Sequence, residues 1–194
     1  YGSGGRDSGP KVALWAHLGG FAFGAAVAWF TRVTEDSKRE YGIEDAEKAL
    51  SERRIDDALS QYRRLLLDSP NDPGLHHTVA LLYPQVNQPD AARRHFEQAI
   101  SHYARTGPPE ALVRVFFDAR QLFPELAVRP AQLVRIASAA EQTLQFSMAQ
   151  SVLVELIERY SSAPESEMAM LRLGRLLFEK LEQPARAVPL FEEY

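Results

Sequence analysis

Apolar positions follow two different rules along this chain. Residues 12–30, VALWAHLGGFAFGAAVAWF, are apolar or small throughout, with one histidine and no formally charged side chain. From Tyr41 onward, apolar residues recur instead at i, i+3, i+4 and i+7, broken by turns such as Ser69-Pro70-Asn71-Asp72-Pro73 and Thr106-Gly107-Pro108-Pro109. The first pattern predicts a helix that is hydrophobic all round. The second predicts amphipathic helices that each bury one face. The expected fold class is all-α, in four stretches: a loop over 1–11, a transmembrane helix over 12–32, a linker over 33–40 (the polar VTEDSKRE from Val33), and a helical repeat domain over 41–194. Tyr1 is not an initiator methionine and Tyr194 falls inside a predicted helix, so the chain is expected to be an excerpt, truncated within its repeat domain.

At roughly 1.5 Å per residue the apolar run spans about 28 Å, close to the thickness of a bilayer's hydrocarbon core. Trp15, Trp29 and Phe30 stand near its ends, where aromatic rings favour the interface, with Lys11 and Arg32 outside. His17 sits a little over one turn inside. An ionisable side chain at that depth is costly unless it faces a partner or a wet cavity, which makes it a candidate site residue. Gly20 and Gly24 follow at i+3 and i+7 on the same face and form a G-x-x-x-G pair that admits a second helix at close range. Two plainer readings stand beside this one: the glycines mark a dimer contact, or the histidine bonds only to water or a headgroup.

The run Ala16-His17-Leu18-Gly19-Gly20-Phe21-Ala22-Phe23-Gly24 resembles A-H-x-x-G-x-x-x-G, the signature of the last core helix of the rhomboid family of intramembrane serine proteases. The resemblance covers about the first thirty residues. It implies that His17 is the general base of a Ser-His dyad and that Gly20 and Gly24 pack its helix against the one bearing the nucleophile. It further implies a serine endopeptidase that cleaves transmembrane protein substrates. Such a protein is integral to the membrane, here a bacterial inner membrane, with the repeat domain cytoplasmic. The family's nucleophile lies in G-x-S-G on an earlier helix. Tyr1-Gly2-Ser3-Gly4-Gly5 lacks the first glycine, so Ser3 reads as part of the loop preceding the last membrane helix, and the excerpt is catalytically incomplete.

The amphipathic part repeats. Ala46, Ala58 and Tyr62 return 34 residues later as Ala80, Ala92 and Phe96, the same spacing returns at Ala137, Ala149 and Leu153, and a last unit carries Gly174, displaced by one, with Ala187 and Phe191. This helix-turn-helix period is similar to the tetratricopeptide repeat (TPR), in which small residues let paired helices touch while an aromatic fills the gap. Residues 108–122 form an extra helix that breaks the period, so the expectation is a degenerate TPR-like α-solenoid of about nine helices. The resemblance implies a protein or peptide partner.

Chemistry in this part is sparse. His76 and His77 are adjacent and His95 and His102 a heptad apart, which misses metal-ligand spacing and predicts solvated surface histidines, with no metal and no cofactor. Arg63, Arg64, Arg93 and Arg94 are candidates for gripping acidic peptides or for a solvated face. A net charge of -4 of mixed sign argues against nucleic acid, and the absence of cysteine excludes disulfides and thiolate metal sites. Two functions follow: the C-terminal portion of a rhomboid-type protease with a repeat domain for interaction or regulation, or a non-catalytic protein, either a membrane-anchored TPR scaffold or an inactive rhomboid-like protein.

Overall fold

A computed structural model describes residues 39–192, which are all helix and turn. The helices are α1 (39–51), α2 (Ile55–Asp68), α3 (Pro73–Leu82, continued by a 3-10 turn Tyr83–Val86), α4 (Pro89–Thr106), α5 (Pro109–Leu122), α6 (Pro130–Gln142), α7 (Phe146–Arg159), α8 (Pro164–Glu179) and α9 (Pro184–Glu192). Nine α-helices among the described residues agree with the repeat reading, and α1 already runs at residue 39, inside the expected linker. No helix among the described residues is long and apolar enough to cross a membrane. The expected membrane helix, 12–32, lies outside the described residues, as do His17, Gly20 and Gly24.

Proline sets many of the helix starts. α3, α4, α5, α6, α8 and α9 each begin at one, where the missing N–H is an unpaired donor anyway and φ is already helical. Asp72 completes the α3 start by accepting from the amides of Gly74 at 2.8 Å and Leu75 at 3.1 Å. At the α8 start the buried Ser166 hydroxyl instead donates backward to the carbonyls of Tyr160 at 2.6 Å and Leu156 at 3.2 Å, tying α8 to the end of α7.

The register of the repeat is visible in the backbone. Arg53, Asn87, Leu144 and Glu182 adopt left-handed φ of 60°, 56°, 60° and 53°, one in each hairpin turn. Each precedes the second-helix alanine (Ala58, Ala92, Ala149, Ala187) by five residues. Each also follows the first-helix small residue, by seven positions after Ala46, Ala80 and Ala137 and by eight after Gly174. In the first three turns the next amide bonds a carbonyl five residues back: Arg54 to Ala49 at 2.8 Å, Gln88 to Tyr83 at 3.0 Å, Gln145 to Ala140 at 2.7 Å. That is the Schellman closure, which satisfies carbonyls left open at a helix end. In the fourth, Gln183 reaches six back, to Leu177 at 2.8 Å, and so absorbs the extra residue.

Packing follows from that register. Ala46, Ala58, Ala80, Ala92, Ala137, Ala149 and Ala187 are all 0% exposed, so the missing side-chain volume is taken up by the facing helix. Phe96 and Leu153 are likewise fully buried between their helices, and Tyr62 nearly so. A Cβ on Gly174 would stand 2.7 Å from the Phe191 ring, which explains the glycine in the last unit.

From α2 to α9 each helix packs on the next, and α6 also touches both α4 and α8. α3, α5 and α7 alternate with them and stand farther apart. The helix that breaks the period, α5, has no second helix of its own. In its place the segment 123–129 inserts Phe123, Leu126 and Val128, all buried, with the Phe123 ring edge-on to Phe96 at 6.1 Å.

Candidate functional site

The half-unit at α5 leaves a groove between α5 and α7. It encloses about 580 Å³. Its walls come from one stripe of each helix: Phe116, Phe117 and Arg120 from α5, and Met148, Ser151, Val152, Glu155 and Arg159 from α7. The i, i+3, i+4 spacing of those α7 residues puts them on one face, while Ala149, Leu153 and Leu156 lie on the adjoining face, buried in the core. Phe116 and Val152 are buried in the floor. Phe117 is 46% exposed and stands as a ridge, because it also lines a second cleft of about 940 Å³ with His77, Arg114 and Asp118 on the α3 side.

One end of the groove is fixed electrostatically. Arg120 donates to Glu155 at 2.5 Å and to the Pro124 carbonyl, and its guanidinium lies 5.1 Å from the centre of the Phe116 ring. Three simultaneous contacts lock that side chain as a strut from α5 to α7. Arg159 meets the same Glu155 oxygen only at 3.7 Å and is 40% exposed, so it keeps donors for a ligand. The groove is therefore apolar along its floor and polar at one end, the form of a site that anchors an apolar side chain and orients it with a few polar groups.

The histidines depart from expectation. Their predicted state was solvated, yet α3 uses its adjacent pair to hold two different helices. His77 donates from Nε2 to the Asp118 carboxylate of α5 at 2.8 Å, and both side chains are mostly buried. His76 Nδ1 lies 2.7 Å from His95 Nδ1 of α4, and His76 Nε2 lies 2.9 Å from the Pro70 carbonyl. A carbonyl only accepts, so His76 carries its proton on Nε2. Burial first, and then the charges of His76, Arg94 and Arg63, lower the His95 pKa from 6.5 to about 4. His95 is thus a neutral imidazole near pH 7, stacked 5.3 Å from Tyr83. The reason for the departure is the 100° turn per residue: neighbours on α3 face α4 and α5 respectively, and both are within reach. No cluster able to hold a metal ion occurs among the described residues.

The four arginines do not form one groove. Arg63 and Arg94 both act on His95, Arg64 lies with Asp45 and Asp57 on the α1–α2 surface, and Arg93 sits 5.0 Å from the centre of the Phe123 ring. The residues that line the α5–α7 groove were not singled out by the pattern of the sequence. A signal was available: Phe116-Phe117, adjacent aromatics on the one helix out of register, cannot both face the core.

No family model matches the chain, and no curated protein matches it. Among solved structures it is similar to one described as the crystal structure of MamA protein, at 14% identity and a TM-score of 0.39, covering 79% of this chain and 88% of that one. It is also similar to Pseudomonas aeruginosa pilF, at 16% identity and a TM-score of 0.34, covering 81% and 77%. A third is TTC0263, described as a thermophilic TPR protein in Thermus thermophilus, at 13% identity and a TM-score of 0.32, covering 80% and 89%.

Proposed function

We propose that residues 39–192 are a protein-interaction module of the TPR type, without catalysis of their own, whose α5–α7 groove docks a segment of another protein. The observation that carries this reading is the groove itself: a half-exposed Phe117 ridge over a buried Phe116–Val152 floor, closed at one end by an arginine with donors to spare. The ligand is a peptide with one aromatic or aliphatic anchor and an acceptor placed to meet Arg159. The test is selection of peptides from a displayed library against the full chain, followed by affinity measurement on Phe117→Ser and Met148→Ser. A selected peptide should bind the double variant about tenfold to thirtyfold more weakly. Unchanged affinity contradicts the reading.

A second, composite reading rests on A-H-x-x-G-x-x-x-G at Ala16 to Gly24, outside the described residues. In it the module is the cytoplasmic appendage of a membrane-embedded rhomboid-type endopeptidase. His17 is then the base toward a serine on another helix, Gly20 and Gly24 pack that helix, and transmembrane proteins are the substrates. Replacing His17 by Ala in a longer protein that contains this segment tests it: cleavage of a transmembrane reporter must be lost, and cleavage at the original rate refutes it.

A further inference from the structure

The cleft on the other side of the Phe117 ridge lies between α5 and α3. It encloses about 940 Å³, and the stripe of α5 that lines it carries Glu110, Arg114 and Asp118 at four-residue spacing. Asp118 is fixed in place: His77 donates to its Oδ2 at 2.8 Å, which leaves Oδ1 without a partner among the described residues. Arg114 stands one turn from each acid yet lies within ion-pair distance of neither, and no other cation among the described residues pairs with Glu110. With imidazole neutral, two carboxylates and one guanidinium share the cleft, which leaves it a net negative charge.

The walls set the shape of what those carboxylates can hold. The same cleft is lined by Val113, by Tyr103 from the end of α4 and by Phe117, which it shares with the α5–α7 groove. A lysine or arginine matches this combination, since its long apolar stem covers aromatic surface while its charged head reaches a carboxylate. An acidic side chain would instead face two carboxylates. The two cavities meet at Phe117. An α-helix with its side chains is about 10–12 Å across, and an extended chain advances about 3.3 Å per residue, so about three or four residues carry a peptide over α5 from one cavity to the other.

We propose that the α3–α5 cleft is the second pocket of the docking site and takes a lysine or arginine of the same partner segment, about three or four residues from the apolar anchor seated in the α5–α7 groove. The inference rests on the groove reading and adds to it the chemistry of the partner. Its segment presents an acceptor for Arg159 and an apolar anchor on one side of α5, and a cation for Asp118 and Glu110 on the other.

The test selects displayed random peptides at about pH 8, where imidazole is neutral, on the full 194-residue chain and on Asp118→Asn, whose amide oxygen still accepts from His77. Peptides from the native chain should carry a basic residue about three or four positions from their anchor. Those from Asp118→Asn should keep the anchor and lose the basic residue. In fluorescence anisotropy, changing that residue to Gln should weaken binding to the native chain about fivefold to tenfold and leave binding to Asp118→Asn unchanged. Glu110→Gln should weaken the native peptide about twofold. The peptide substitution needs no variant protein, so it decides the matter even if Asp118→Asn fails to fold. Met148→Ser separates the two readings. If it weakens binding while the Gln peptide binds the native chain normally, the cleft proposal falls and the groove reading stands; if it has no effect, the groove reading falls and the two-pocket site with it. A library that yields no binder, binders without the basic residue, or basic residues selected equally on Asp118→Asn would each overturn the proposal.

Discussion

Truncating Phe96 to Ala tests the repeat register against its energetics. The ring is 0% exposed, packs edge-on to Phe123 at 6.1 Å and lies 6.1 Å from the His77 ring. Emptying a fully buried phenylalanine site costs about 3–5 kcal/mol, and loss of the aromatic pair accounts for about 0.5–1.5 kcal/mol of that. Phe191 occupies the same slot in the last unit but is 44% exposed. Its removal leaves an opening that water can fill, so about 1 kcal/mol is expected. Urea unfolding followed by circular dichroism separates the two. With a slope of about 2 kcal/mol per molar urea, Phe96→Ala should lower the midpoint by about 2 M and Phe191→Ala by about 0.5 M. Equal shifts, or a loss below about 1 kcal/mol for Phe96→Ala, would refute the claim that burial sets the cost at these two equivalent positions.

Other consequences follow from the same contacts. His95 has its folded pKa lowered to about 4 from 6.5, so the unfolded chain binds more protons between those values. Its contribution is complete above pH 6.5 and is lost as pH falls toward 4. The full shift corresponds to about 3.4 kcal/mol, reduced to about 1–2 kcal/mol for a partly exposed ring, and unfolding free energies of the native chain and His95→Gln across that window should show the slope only in the former. Leu144 is 74% exposed and held at φ 60°, so Leu144→Asn should stabilise the chain by about 0.5 kcal/mol, read as a higher melting temperature; a lower one contradicts the assigned turn. Gly107→Ala should cost about 1–3 kcal/mol in urea unfolding, because its Cβ would lie 2.7 Å from the Tyr103 Cα, a backbone atom that cannot swing aside. Ser166→Ala should cost about 1 kcal/mol by the same method, for the hydroxyl shared by two carbonyls at the end of α7.

The helical pairing was legible because it is written in side-chain volume. Only residues as small as Ala46, Ala80 or Ala137 let two helices meet, so their recurrence with Ala58, Ala92 and Ala149 encodes the contact directly. The hairpin turns were not legible in the same way. Left-handed residues are usually signalled by glycine or asparagine, yet three of the four positions hold Arg53, Leu144 and Glu182, whose strain is offset by the backbone hydrogen bonds that close those turns. The histidines were misjudged as solvated because spacing within one helix carries no information about the helix across from it: His95 and Asp118 supply the partners from α4 and α5. The groove was hidden for a related reason. Its width depends on the substitution of the buried segment 123–129 for a helix, and the alternation of Phe123, Leu126 and Val128 resembles an ordinary loop until its burial is known.

The claim that the α5–α7 groove receives another protein is tested most directly by photo-crosslinking. A benzophenone amino acid placed at Phe117, at Met148 and, as a control, at Phe178, which is 61% exposed on α8 and does not line the groove, samples the two surfaces in the same cells. One discrete adduct, formed from 117 and 148, absent from 178 and suppressed by Arg159→Ala, is the predicted result. Adducts of equal yield from all three positions, or none from 117 and 148, would contradict it.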